Sequence, residues 1–336
     1  MIRPPFASRR FAFAVFVVTA FAARAIPAAS FAAAPSLSKD PFVEVNHALH
    51  AGEADKALTL LASLPSTGID QPMAHNLACR VRLTLEQWDA AVSECEKSVN
   101  LAPENSDDHL WLARAVGQKA GHANFMNAFS LAKRSRAEFE EAVRLNPRNA
   151  EALADLGEFY RQAPGVIGGG IDKAQGIANQ LDKLDPAQAH HLRAKIAEGQ
   201  KDFPTAEREF KQAISSSPHP ALEWTSLAGF YRRQKRFDEM ESAVHSAQSA
   251  ASHDRLAAVA LFDGASTLIE ANRNPALAAK LLNDYLASPD KKEDAPAFIA
   301  HLRLAHLDSQ LGDAAGAERE HAAALALAHD YKPAKD

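Results

Sequence analysis

The chain has 336 residues, enough for two compact domains or one elongated array. Nearly half of them (47%) are apolar and only 7% are aromatic, which suits helices packed through small side chains and sets aside a sheet protein with a bulky core. A formal charge of −5 excludes the basic surplus that general nucleic-acid binding needs.

Before Asp40 the sequence holds no acid. Arg3, Arg9 and Arg10 precede an uncharged apolar run from Phe11 to Ala23, and small residues from Ile26 to Ala34 follow. A basic start, an apolar centre and a small-residue end are the order of a secretory signal. The run falls short of the roughly 20 residues a membrane span needs. It is continuously apolar, unlike the amphipathic pattern of an organelle transit peptide, and no Cys beside it offers a lipid anchor. The expected division is a signal over 1–34, a linker over 35–40, a helical domain over 41–331 and a tail over 332–336. Cleavage would remove Arg3, Arg9, Arg10 and Arg24 and no acid, moving the charge from −5 to −9. The expected location is the periplasm or the outside of the cell, with no stable membrane span left.

Beyond residue 40, runs rich in Val, Ile and Thr are missing, so the class is all-α. Trp224, Leu227, Ala228 and Tyr231 stand at i, i+3, i+4 and i+7, one face of a helix, and Leu153, Leu156, Gly157 and Tyr160 repeat the spacing. A second pattern follows each, as in Ala206, Phe210, Ala213 and Pro218, or Ala174, Ala178, Leu181 and Pro186. Proline fits there because it cannot continue a helix. The small residue of the second helix aligns at Ala57, Ala91, Ser135, Ala174, Ala206, Met240, Ala279 and Ala317.

These two half-patterns resemble the tetratricopeptide repeat (TPR), 34 residues folding as two antiparallel helices. The resemblance covers about residues 41–330 and implies a TPR-like α-α superhelical solenoid of about eight repeats. Steps longer than 34 are expected to be loop insertions, the largest over Ala115–Arg136. The Gly-rich stretch 163–173 resembles one found in exported bacterial TPR proteins of undefined role.

That stretch holds Gly165, Gly168, Gly169, Gly170 and Lys173 between two helices of the fourth repeat. Consecutive glycines at a helix start can offer free N–H groups to an anion. A small anionic ligand or glycan there is the alternative function; the bland reading is a loop made compact by glycine. It is no P-loop, because Ala174 follows Lys173 where Ser or Thr is required. The chain's two cysteines, Cys79 and Cys95, fall on the facing helices of one repeat. They are expected as buried thiols, since Cys is a common small apolar filler, with a disulfide as the alternative. The 14 His show no zinc spacing and are expected on the surface; no metal or cofactor is expected. No nucleophile motif occurs, so no enzyme is expected.

In a solenoid of this kind the first helices line the concave face. Mapped onto this chain, the contacting positions are Asn76, Arg80, Arg114, Gln118, Glu158, Arg161, His191, Lys195, Thr225, Arg232 and Arg233. That set makes the groove more basic than the rest of the chain. The chaperone-binding TPR class uses a Lys and Asn clamp, and Asn76/Arg80 and Leu110/Arg114 at those places do not reproduce it. The expected function is a scaffold for a protein partner in the cell envelope or periplasm.

Overall fold

The computed structural model describes residues 40–65, 71–254 and 257–334. The expected signal, over 1–34, lies outside the described residues, as do 35–39 of the linker. The described residues form sixteen α-helices in eight sequential pairs, a TPR-like solenoid. The pairs are α1 (Pro41–Ala51) with α2 (Ala54–Ala62), α3 (Pro72–Thr84) with α4 (Trp88–Leu101), α5 (Ser106–His122) with α6 (Phe125–Leu145) and α7 (Ala150–Gln162) with α8 (Ile171–Leu181). They continue with α9 (Pro186–Gly199) and α10 (Phe203–Ser216), α11 (Pro220–Arg233) and α12 (Phe237–Ala251), α13 (Val259–Ala271) and α14 (Pro275–Ala287), then α15 (Ala297–Leu311) and α16 (Ala314–Leu327). A 3₁₀ turn, Lys332–Ala334, follows within the expected tail.

Local chemistry sets the helix starts. Asp40, Asn105, Asn124, Asn149, Asp185 and Asp202 each accept a backbone N–H of the following first turn, satisfying donors that a helix start leaves orphaned. Gly52, Glu86, Lys201, Lys235 and Gly312 carry positive φ at the turn between paired helices. Each lies five residues before the small residue of its second helix, so one turn geometry recurs even where the residue is Glu or Lys. The seventh repeat departs from this, with both Asn272 and Asn274 in the left-handed region. Its small buried residue is Ala278, not Ala279, a slip of one position from the expected alignment.

In the first seven repeats the small residues do what the pattern implied: Ala57, Ala91, Ala174, Ala206, Met240 and Ala278 are fully buried, and Ser135 nearly so, whereas in the eighth Ala317 is half-buried and Gly316 beside it is buried. The insertion in the third repeat is not a loop. Elsewhere the second helix begins three residues before its small residue; α6 begins ten before Ser135, at Phe125. Seven extra residues are two turns, about 10 Å of added helix. The segment is rich in Ala, carries Lys and Arg and is free of Pro, so it extends α5 and α6 instead of looping out.

Cys79 and Cys95 are joined, with their Cα atoms 5.2 Å apart. This corrects the expectation of two free thiols: antiparallel packing of α3 and α4 brings both onto one buried contact. The histidines are corrected too. His75, His109, His190 and His301 bond Glu94, Glu138, Glu209 and Glu320 through Nδ1, at 2.6–2.8 Å. In all four repeats the Glu stands three residues after the small residue, so the pair clasps first helix to second.

The array closes on itself. Phe298 of α15 is fully buried in a cluster with Val45, Ala48 and Leu49 of α1 and Tyr331 from the C-terminal end. The Phe298 and Tyr331 rings lie 4.9 Å apart, and the Tyr331 hydroxyl donates to Glu86 at 3.0 Å. The His329 N–H donates to Asp55 at 2.8 Å, and Arg80 forks onto Glu293. A Cβ at Gly52 (φ +75°) would overlap the backbone of Ala297, so this glycine is what lets the first and last repeats touch.

Candidate binding channel

The first helices of repeats two to eight face one central cavity of about 510 Å³. Along α5, Trp111, Arg114 and Gln118 reach it at i, i+3 and i+7, and His122 follows. Along α7 the stripe is Glu151, Asp155 and Glu158, at i, i+4 and i+7. Further round, α9 brings His191, α11 Glu223 and Thr225, α13 Phe262 and Asp263, and α15 Arg303. The segment before α15 adds Glu293 and Asp294, the α3–α4 turn adds Glu86, and the first residue of α4 is Trp88, also in the lining. A volume of that order suits a bound small molecule or a short stretch of chain, not a folded domain.

Of the eleven mapped positions, Arg80, Arg114, Gln118, Glu158, His191 and Thr225 line this cavity. The other five do not. Asn76 is buried and donates to Asp108 at 2.7 Å, tying α3 to α5. Arg161 forks onto Glu158, Arg233 onto Glu198, and Arg232 pairs with Glu270 at 2.9 Å. Lys195 stands among these groups; enclosure, and then Arg233, lowers its ammonium pKa.

The two mapped arginines that do line the cavity are spent inside its wall. Arg114 has 1% of its side chain exposed and bonds Asp155 at 2.7 Å and Glu151 at 2.6 Å. One guanidinium between two carboxylates neutralises one of them. Asp155 is raised by burial, with Arg114 pulling it down and Glu151 pushing it up again. Arg80 pairs with Glu293 at 2.8 Å across the seam. Trp111 lies between them, with the Arg80 guanidinium 4.9 Å and the Arg114 guanidinium 4.5 Å from its ring.

The lining holds eight carboxylates against three guanidinium groups and two histidines, so the expected basic groove is an acidic one. Glu86, Glu151, Asp155, Glu223, Asp263, Glu293 and Asp294 were the lining carboxylates missing from the sequence reading. One signal was there: Glu151 and Asp155 share a helix face with the mapped Glu158. Asp294 is exposed by surface area yet stands inside the ring. Enclosure raises its carboxyl pKa, as do Asp263 and Glu293, and its open surface puts the weight on those two carboxylates.

The glycines of the stretch do not offer the anion cradle of the alternative reading. It folds as a 3₁₀ turn, Gly165–Ile167, in which the N–H groups of Ile167, Gly168 and Gly169 donate to Pro164 or Gly165, and that of Gly170 to Tyr160. Lys173 caps the Gly168 carbonyl at 2.8 Å, and Arg136 donates to the Ile167 carbonyl at 2.9 Å. A Cβ at Gly169 would overlap the Ala163 carbonyl. The glycines make the turn compact and spend their own donors. Among the described residues, no group of three His, Cys, Asp or Glu is placed to hold a metal ion.

No family model matches the chain. A curated relative is the Hsp70-Hsp90 organizing protein 1 of Glycine max, 24% identical over 161 residues, 46% of this chain. The chain spans about a quarter (25%) of that relative's length. Among solved structures, TTC0263, a thermophilic TPR protein of Thermus thermophilus, aligns over 56% of this chain and 96% of its own, with 19% identity and a TM-score of 0.48. The human IFIT1 dimer with PPP-AAAA aligns over 82% and 66%, with 19% identity and a TM-score of 0.43. PilW, a type IV pilus biogenesis factor, aligns over 67% and 99%, with 17% identity and a TM-score of 0.40.

Proposed function

We propose that this chain is an exported, non-catalytic scaffold that takes a segment of a partner protein into its central channel. The observation that carries the reading is convergence: seven consecutive first helices turn side chains into one cavity, the geometry by which α-solenoids present extended binding surfaces. Two features support an oxidising location, periplasmic or extracellular. The first 34 residues have the order of a secretory signal, and Cys79 is bridged to Cys95, a bond that persists outside the reducing cytosol. Fold alone does not fix function, so the channel is the point to test. Ala154 and Ser226 lie on the channel wall on α7 and α11. An Ala154→Trp/Ser226→Trp variant fills the channel and leaves the outer surface unchanged. It should fold with the circular dichroism of the parent and lose a partner that the parent captures from an envelope extract. Equal capture by both proteins places binding outside the channel and ends the proposal.

A further inference from the structure

We propose that the tip of the α5–α6 hairpin is a finger that docks on an anionic lipid surface. Such docking goes beyond the channel and does not depend on what the channel binds.

The finger exists because α5 and α6 run on past the helices of the other repeats. Its added turns hold Phe125 and Met126, 85% and 80% exposed, the most exposed large apolar side chains among the described residues. The inner face of α6 is occupied by Leu131, Ser135, Phe139 and Ala142, which pack into the solenoid. Phe125, Phe129 and Lys133, at i, i+4 and i+8, form a separate stripe with Met126 beside it. The Lys133 ammonium lies over the Phe129 ring, 4.4 Å from its centroid. The finger is also braced. Lys119 pairs with Asp89 at 2.7 Å and Arg134 with Glu96 at 2.6 Å, both acids on α4. Arg136 donates to the Ile167 carbonyl, so the compact Gly turn buttresses its base.

The chemistry of the tip selects its occupant. No acid lies between Asp108 and Glu138, in a chain whose net charge is −5. Lys119 and Arg134 are matched by α4; Lys133 is the exposed cation on the apolar stripe itself. Helix rise sets it seven residues, about 10 Å, behind Met126. Interfacial helices bury their apolar face to about 5–10 Å, so with Phe125 and Met126 among acyl chains the Lys133 ammonium extends to the lipid phosphates. A projecting end needs a matching pocket on a protein partner, whereas a bilayer closes round it. None of the described helices is long and apolar enough to cross a membrane, so the contact is peripheral. The acidic remainder of the chain is held off an anionic surface, which turns the finger toward it. Two apolar side chains and one cation give weak, reversible docking.

The test places an environment-sensitive nitrobenzoxadiazole label at Met126→Cys or, as a control, at Ser215→Cys, exposed toward the end of α10. Cys79 and Cys95 are bridged, so the added thiol takes the label. The readout is positional because the apolar run Phe11–Ala23 is present in every variant. Vesicles of phosphatidylcholine mixed in equal parts with phosphatidylglycerol should shift the label at 126 to the blue and brighten it, and leave the label at 215 unchanged. Phosphatidylcholine alone should need at least about fivefold more lipid for the same response, and high salt should erase that difference. Added to Met126→Cys, Phe125→Ser should raise the lipid requirement about tenfold and Lys133→Gln about fivefold, each with unchanged melting. No response at 126, an equal response at 215, equal response to the two vesicle types, or parental lipid dependence in Phe125→Ser overturns the proposal. A shift at 126 that follows protein concentration without lipid assigns the tip to a second copy of the chain, and also overturns it.

Discussion

Closure of the array has a consequence that one substitution isolates. In an open solenoid each repeat touches only its neighbours, and its end repeats fray first. Here Phe298 belongs to the eighth repeat yet is fully buried against α1 of the first, so Phe298→Ala removes a contact between segments some 250 residues apart in sequence. Truncating a fully buried Phe costs about 3–5 kcal/mol, a large share of the 5–15 kcal/mol that holds a typical domain folded. Phe210, also fully buried, sits mid-array in α10 and is the control, since its truncation should cost a similar amount without touching the seam. The assay is amide hydrogen exchange resolved by helix. At about 1.4 kcal/mol per factor of ten, losing even 3 kcal/mol at the seam speeds exchange in α1 and α2 by roughly a hundredfold. Phe210→Ala should accelerate α10 to α12 and leave α1 and α2 much nearer the parent. If α1 and α2 exchange at the parental rate in Phe298→Ala, or respond equally to both variants, the ring is not closed in solution and the channel becomes an open groove.

Three further outcomes follow from the packing. Thiol labelling of the denatured protein without reductant should give no labelled cysteine; Cys79→Ser/Cys95→Ser should melt lower, because a bridge across 16 residues restrains the unfolded chain by about 3 kcal/mol. The His109 imidazolium is held above its usual pKa by its bond to Glu138, so its stabilisation is full below the unfolded value near 6.5 and is lost as pH rises through the folded one. The gap in melting temperature between the parent and His109→Gln should therefore be widest at acid pH and shrink toward pH 8; a gap that widens with pH contradicts the clasp. Gly168→Ala, at φ +95° with Arg136 where the Cβ would go, should destabilise by roughly 1–3 kcal/mol, whereas Gly176→Ala, in α8 with open space around it, should stabilise by about 0.5–1 kcal/mol.

The period of this fold is written in the chain because close helix packing tolerates only small side chains where backbones approach. Ala57, Ala91, Ala174 and Ala206 are at 0% exposure for the reason their spacing suggested. The same reasoning fails wherever the deciding partner is remote. Arg80 and Glu293 are 213 residues apart, and Asp55 and His329 are 274 apart, so nothing periodic announces that the last repeat meets the first. The turns are equally quiet, since Glu86, Lys201 and Lys235 adopt the left-handed conformation without a glycine to mark it.

The channel's sign was misread for a related reason. A generic repeat places Arg80 and Arg114 on the concave side, and there they are; what it cannot give is their charge state toward a ligand, which depends on what the next helix brings. Here α7 brings Glu151 and Asp155 onto Arg114, and the closing seam brings Glu293 onto Arg80, so two apparent hooks become internal struts. Burying an ion pair is weak evidence of stability, but removing one partner strands the other charge at a cost of about 3–5 kcal/mol. Charge reversal at Arg114 would thus first disrupt the α5–α7 wall, and any lost binding would report a damaged channel instead of a lost contact.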